Sequence, residues 1–272
     1  MPHFVSHWLA GDNLVRSLDR THQDLVNNNR TAFDLGVQGP DFLYVSYASN
    51  GTQLLSHMGT VMHSEPANPA FLCMQDIALH DKEHREFLTA YIAGALSHYH
   101  LDATIHPYVG AHVSKGASHT KIEAEIDVAM YKHQTGHDVQ NFKVFQHYER
   151  DARAYLPVAR MYQTLLKEIH NEYFSKKDLL DSMKYLNFFH NIFNTKSNFK
   201  YGLCKGAMKL ARLNPEYLSY FKRPTTLDAN EVAPLFDQTT RASTPETNQL
   251  LTSLKHGAAF AIDDSLGYQN GL

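Results

Sequence analysis

The sequence predicts an all-α protein, a multi-helix fold. Three observations carry this reading. Helix-start signals are frequent, apolar residues recur at three- and four-residue spacing, and no stretch alternates long enough to demand a sheet. Asn68-Pro69, Asn214-Pro215 and Thr244-Pro245 each read as an N-cap followed by Pro at the first helical position. Ser175-x-x-Asp178 before Leu179 is a further start signal.

About nine helices follow, at roughly 5–18, 52–63, 69–79, 83–106, 119–133, 157–174, 178–197, 199–221 and 245–264. The fourth carries the stripe Phe87, Leu88, Tyr91, Ile92, Ala95 and Leu96, and ends where His106 precedes Pro107. Ser118 offers an N-cap for the fifth, which Gly136 closes. Leu179, Met183, Leu186 and His190 make the stripe of the seventh, and Leu250, Leu251, Leu254, Ala258 and Ile262 that of the last. Residues 30–51, 107–118 and 222–244 read as long loops, the last with Pro224 and Pro234 as a wrapping arm. Phe42 to Tyr47 also passes for a short strand.

The 272 residues, 43% of them hydrophobic, are ample for a core. No repeat, low-complexity tract or linker divides them, so a single domain over 1–272 is expected. A net charge of −3 gives no basic footprint for duplex nucleic acid. Cys73 and Cys204, flanked by apolar residues, read as buried free thiols. No apolar run approaches the ~18 residues of a membrane span. No signal peptide and no exposed apolar helix for membrane docking is legible, so a cytoplasmic location is expected. Oligomeric state is not legible.

The one strong bias is 18 His. They concentrate in His98-Tyr-His-Leu-Asp102, His106 and His119-Thr-Lys-Ile-Glu123. Residues four apart share a helix face, and imidazole with carboxylate is a donor set for zinc or a similar cation. Each element has a plainer reading. His98 and Asp102 sit on the core-facing stripe, where a buried carboxylate needs a partner; a cation or a His–Asp hydrogen bond supplies one. His106 at a helix end suits the helix dipole. Thr120-x-x-Glu123 has the form of a capping box, although Ser118 leaves Glu123 free to face His119. Upstream, His7, Asp41 in Gly39-Pro40-Asp41, and His57 or His63 are further candidates. His80-Asp-Lys-Glu-His84 reads as a solvated helix start.

This pattern resembles zinc-dependent phospholipase C and its bacterial relatives. The resemblance runs from Met1-Pro2 and His7 through Gly39-Pro40-Asp41, Met58-Gly59-Thr-Val-Met-His63, His98-Tyr-His-Leu-Asp102-Ala-Thr-Ile-His106-Pro107 and His119-x-x-x-Glu123. It is close over about residues 1–130 and faint beyond, with a loose match from Ser243 into the last helix. It implies an all-α fold with two or three zinc ions, manganese or iron being compatible with the same donors. Asp41, His63, His98 and Asp102 would hold one ion; His106, His119 and Glu123 a second; and Asp102 with His7 a third. The offset after Met58-Gly59 favours His63 over His57. Secreted members complete the third site with an N-terminal Trp, whereas this chain begins Met1-Pro2 and Trp8 has no such equivalence.

The implied activity is hydrolysis of a phosphodiester, such as a phospholipid, by a metal-bound hydroxide, with Asp41 as catalytic base. The competing classes are a single-strand nuclease using Tyr44, Tyr47, Tyr99 or Tyr108 to stack bases, a phosphohydrolase built on His80-Asp81 or His137-Asp138, and a non-catalytic metal-binding protein.

Overall fold

The computed structural model describes residues 4–49, 53–195, 197–210, 218, 220–265, 267 and 268. In chain order the helices are α1 (Phe4–Ser17), α2 (Arg20–Asn28), α3 (Arg30–Gly36), α4 (Gln53–Ser64), α5 (Ala67–His80), α6 (Arg85–Val113), α7 (His119–Thr135), α8 (Leu156–His170), α9 (Lys176–Phe193), α10 (Asn198–Leu210) and α11 (Ala229–Lys255). A 3₁₀ segment, Gly39–Ser49, follows α3. No strand occurs among the described residues, as the all-α expectation requires.

α6 is the axis on which the rest is hung. Every residue from Leu88 to Ala103 is buried, and a helix enclosed on all sides belongs to a core. α1, α3, α5, α7 and α11 all pack on it. The closest crossing is with α3, where glycines stand on both helices. A Cβ on Gly94 would lie 2.3 Å from the Phe33 carbonyl oxygen, and one on Gly36 would lie 2.2 Å from that of Tyr91. The backbones touch there because neither side carries a side chain. The 3₁₀ segment is sandwiched between α4 and α9.

Several elements depart from the sequence reading. α6 runs through Pro107 to Val113 instead of ending at His106. Pro costs one backbone bond, but Ile105, His106 and Val109 are buried on either side of it, and that packing holds the helix together. Residues 222–244 are largely helical, not a loop, since α11 starts at Ala229 with Asp228 capping the Asn230 N–H at 3.0 Å. Thr244-Pro245 lies inside it. Its buried stripe includes Val232, Phe236, Thr239, Ser243 and Thr247; the small polar members disguise a helical period as loop composition. α11 stops at Lys255, and residues 258–264 continue as extended chain. α3 forms within the expected loop 30–51, α2 forms where the sequence reading assigned no element, and Phe42–Tyr47 is 3₁₀ and not strand.

Other expectations fare better. Ser175 caps α9 by accepting from the Asp178 N–H at 3.1 Å, and Gly136 ends α7 at φ 73°. α5 begins at Ala67, ahead of Asn68-Pro69, because Asp264 accepts from the Ala67 and Asn68 N–H groups. Cys73 and Cys204 are free but only half-buried. Asn214-Pro215 lies outside the described residues. None of the helices described is long and apolar enough to cross a membrane.

Gly94→Ala is expected to destabilise the protein by about 3 kcal/mol or more, since a Cβ meets backbone that has nowhere to go. Gly206→Ala, in open space on α10, is expected to stabilise by up to about 1 kcal/mol through helix propensity alone. Urea denaturation of both variants checks the contrast.

Candidate metal centre

The continuation of α6 past Pro107 decides the geometry of the site. It keeps His98, Asp102 and His106 on one helical face at successive four-residue steps. Five further side chains converge on that face. His7 comes from α1, Asp41 from the start of the 3₁₀ segment, and His63 from the last turn of α4. His119 and Glu123 come from the first turns of α7. All eight residues singled out in the sequence are thus brought together, and all but His119 are buried.

They form three adjoining groups. His7, His98 and Asp102 make one; Asp41, His63 and His98 a second; His106, His119 and Glu123 a third. Within each, the donor atoms lie within 4.8 Å of one another. The two oxygens of Asp102 face different ways. Oδ1 lies 3.4 Å from His7 Nε2, and Oδ2 lies 3.2 Å from His98 Nε2 and 3.8 Å from His63 Nε2. Asp41 Oδ1 is 3.3 Å from His63 Nε2. Glu123 Oε1 is 2.7 Å from His119 Nε2 and 3.8 Å from His106 Nε2. The expected capping box is not made, because Glu123 turns to His119.

The residues fit a metal by two physical criteria. The first is tautomer. A ligating imidazole needs its second nitrogen occupied by a hydrogen bond. His63 Nδ1 donates to the Gly59 carbonyl at 2.6 Å, His98 Nδ1 to that of Val37 at 3.3 Å, and His106 Nδ1 to that of Tyr268 at 2.5 Å. Each Nε2 is thereby aimed inward, and those of His63 and His98 stand 3.4 Å apart. The second is charge. Asp41, Asp102 and Glu123 are buried carboxylates that demand positive charge nearby. Burial would raise the Asp102 carboxyl, yet His98, His106 and His7 hold it well below the usual carboxylate range. Burial would likewise lower His106, but Asp102 and Glu123 push it up to about 9. His98 is raised against its burial by Asp102 and Asp41. Divalent cations answer the same demand.

Neighbouring residues fix these side chains in place. Gly39 has φ 51°, and a Cβ on it would stand 2.3 Å from His98 Cδ2, so glycine serves both the turn and the seat of the ring. Asp127, one turn beyond Glu123 on α7, was not anticipated. It accepts from the Ser6 N–H at 2.8 Å and Ser6 Oγ at 2.6 Å, capping α1 from another helix. Lys222 Nζ sits 2.5 Å from its other oxygen, and neither side chain is exposed to water. Tyr268 was also missed. Its carbonyl orients His106 and its ring lies 5.1 Å from that of His63. Tyr99 holds this part of the chain by donating to the Asp263 carbonyl and accepting from the Gly267 N–H. Only Asp127 carried a signal, its i+4 spacing from Glu123.

The open alternatives are resolved by burial. His57 is exposed while His63 is buried. His80 is 79% exposed at the end of α5, and His137 and Asp138 are exposed, so neither His-Asp dipeptide forms a core site. Tyr99 is fully buried between Phe71 and Tyr268, and Tyr108 donates to Glu231 at 3.1 Å. The Tyr47 side chain lies outside the description. That leaves Tyr44, tilted on His63 at 5.4 Å, and Tyr108 as the partly exposed rings of the three described. Trp8 is a core residue stacked on Phe142 and His147.

An all-helical chain that gathers imidazole and carboxylate donors in this way falls in the class of helical metal hydrolases. The family model for zinc dependent phospholipase C matches residues 6–180, which take in every candidate ligand from His7 to Glu123, and the chain belongs to that family. Membership makes it a zinc-dependent phosphodiester hydrolase of the phospholipase C type. The match extends well past residue 130, where the recognisable motifs end. No curated protein and no solved structure matches the chain.

Two substitutions outside the donor set test the support. Gly39→Ala is expected to lower bound zinc per chain by displacing His98, measured by elemental analysis. Asp127→Ala is expected to cost about 3–5 kcal/mol, the usual penalty for stranding a buried charge such as Lys222, measured by denaturation.

Proposed function

We propose that the chain hydrolyses phosphodiesters, with a phospholipid as the natural substrate, using two or three zinc ions held by His7, Asp41, His63, His98, Asp102, His106, His119 and Glu123. One observation carries the reading: Asp102 stands where two donor groups that share His98 adjoin, with Oδ1 toward His7 and Oδ2 toward His98 and His63. A carboxylate so placed suits a bridge between two ions. Zinc held there supplies Lewis acidity, lowering the pKa of water toward neutrality and offsetting charge on the phosphoryl oxygens.

The chain's own groups do the rest. Asp41, set by the Gly39-Pro40 turn, orients the attacking water and takes its proton as the oxygen bonds to phosphorus. The phosphorus–oxygen bond to the leaving group then breaks, and the departing oxygen takes up the proton that Asp41 gives back, by way of solvent; for a phospholipid the alcohol so formed is diacylglycerol. The low exposure of the site strengthens these charge interactions by excluding bulk water. Membership of the phospholipase C family favours a lipid phosphodiester over single-stranded nucleic acid. Manganese or iron is compatible with the same donors.

Elemental analysis and a phosphodiester panel, phosphatidylcholine and single-stranded DNA included, test the proposal. Asp102→Ala is expected to lose more than one ion per chain, and His7→Ala at most one. Activity in Asp102→Ala is expected to fall roughly a hundred-fold or more. Protein that holds stoichiometric zinc yet hydrolyses no member of the panel would overturn the reading.

A further inference from the structure

α10 exposes more large apolar side chains than any other helix described. It shows its large apolar side chains to solvent: Phe199 is 80% exposed, Leu203 64% and Leu210 88%. Their spacing, with Gly206 between the last two, places them on one stripe. At 100° per residue, Lys200 falls on one side of that stripe and Lys205 and Lys209 on the other. The helix holds these three lysines and no acidic residue, in a chain whose net charge is −3. Its opposite face is the attached one. Tyr201 packs edge-on against Phe221 at 5.1 Å, the Arg223 guanidinium lies 3.9 Å over the Tyr201 ring, and Arg223 donates to Asn198 at 3.1 Å.

We infer that α10 docks the protein on an anionic phospholipid bilayer. An apolar stripe flanked by lysines suits a helix lying in the plane of a lipid interface. Its rings and leucines enter the acyl boundary and its ammonium groups meet the phosphates. A second copy of this chain is a poor occupant, because pairing α10 with itself sets three lysines against three. The inference corrects the expectation that no exposed apolar helix serves a membrane. It rests on the phospholipase reading for its biological sense, since the enzyme must reach substrate that resides in a bilayer.

The full zinc-loaded chain is sedimented with phosphatidylglycerol vesicles and, separately, with phosphatidylcholine vesicles. Binding is expected to be at least ten-fold tighter to the anionic lipid and to weaken with salt. The triple variant Lys200→Gln, Lys205→Gln, Lys209→Gln is expected to weaken that binding on the order of a hundred-fold, at about five-fold per lysine. The pair Phe199→Ser, Leu203→Ser is expected to weaken binding to both vesicles by about ten-fold or more. Both variants should hydrolyse a soluble, monomeric phosphodiester at the unaltered rate with unaltered zinc content. Failure of the parent chain on that soluble substrate would count against the phospholipase reading alone, because vesicle binding is read separately. The docking inference is overturned if the parent chain ignores phosphatidylglycerol or if the variants bind it equally well. It is also overturned if Phe199→Ser instead abolishes a dimer seen without lipid.

Discussion

Burying three carboxylates in the middle of a helical bundle is the constraint that shapes this protein. Asp41, Asp102 and Glu123 are each almost out of water, and an ion so placed costs several kcal/mol unless positive charge stands beside it. Five imidazoles are therefore gathered round them from α1, α4, α6 and α7. Those helices must end or cross where their rings can meet, so the architecture follows from the charge. α6 supplies a continuous face, the 3₁₀ segment brings Asp41 to it, and α1 enters at the angle that its cap on Asp127 permits.

The same economy recurs outside the donor set. Asp127 is a further buried carboxylate, satisfied by Lys222, Ser6 and the start of α1. It lies on the same face of α7 as Glu123, one turn on. The rotation of α7 thus sets a candidate ligand and the clamp on the helix bearing His7 together. Lys222 also lies 4.4 Å from the ring of Phe4, and its chain neighbours Phe221 and Arg223 anchor α10. One buried ion pair therefore ties the entry to α1, the body of α7 and the base of the exposed helix.

Much of the site was legible because its donors obey local rules. His98 with Asp102 and His119 with Glu123 announce themselves by a four-residue step, and Gly39-Pro40-Asp41 by its turn chemistry. What escaped was set by packing. Pro107 ends most helices, and only burial on both sides of it explains why α6 persists and keeps His106 on the donor face. Thr239, Ser243 and Thr247 face the core, so the period of α11 is written in residues that normally mark loops. Tyr268 acts through a backbone carbonyl, which every residue has, so no residue type could have flagged it. The exposure of α10 is equally invisible to periodicity, since an apolar stripe in sequence does not say whether anything covers it.

The contact between Tyr268 and His106 has a consequence in time. The two residues are 162 positions apart, so the ring is synthesised long before the carbonyl that orients it. Until the C-terminal segment emerges and is laid along Tyr99, Gln75 and Asn68, His106 lacks the Tyr268 carbonyl and α5 lacks its cap from Asp264. The C-terminal segment therefore completes a site whose donors all precede it, and a proteolytically trimmed chain would lose the Tyr268 ring against His63 together with the carbonyl on His106.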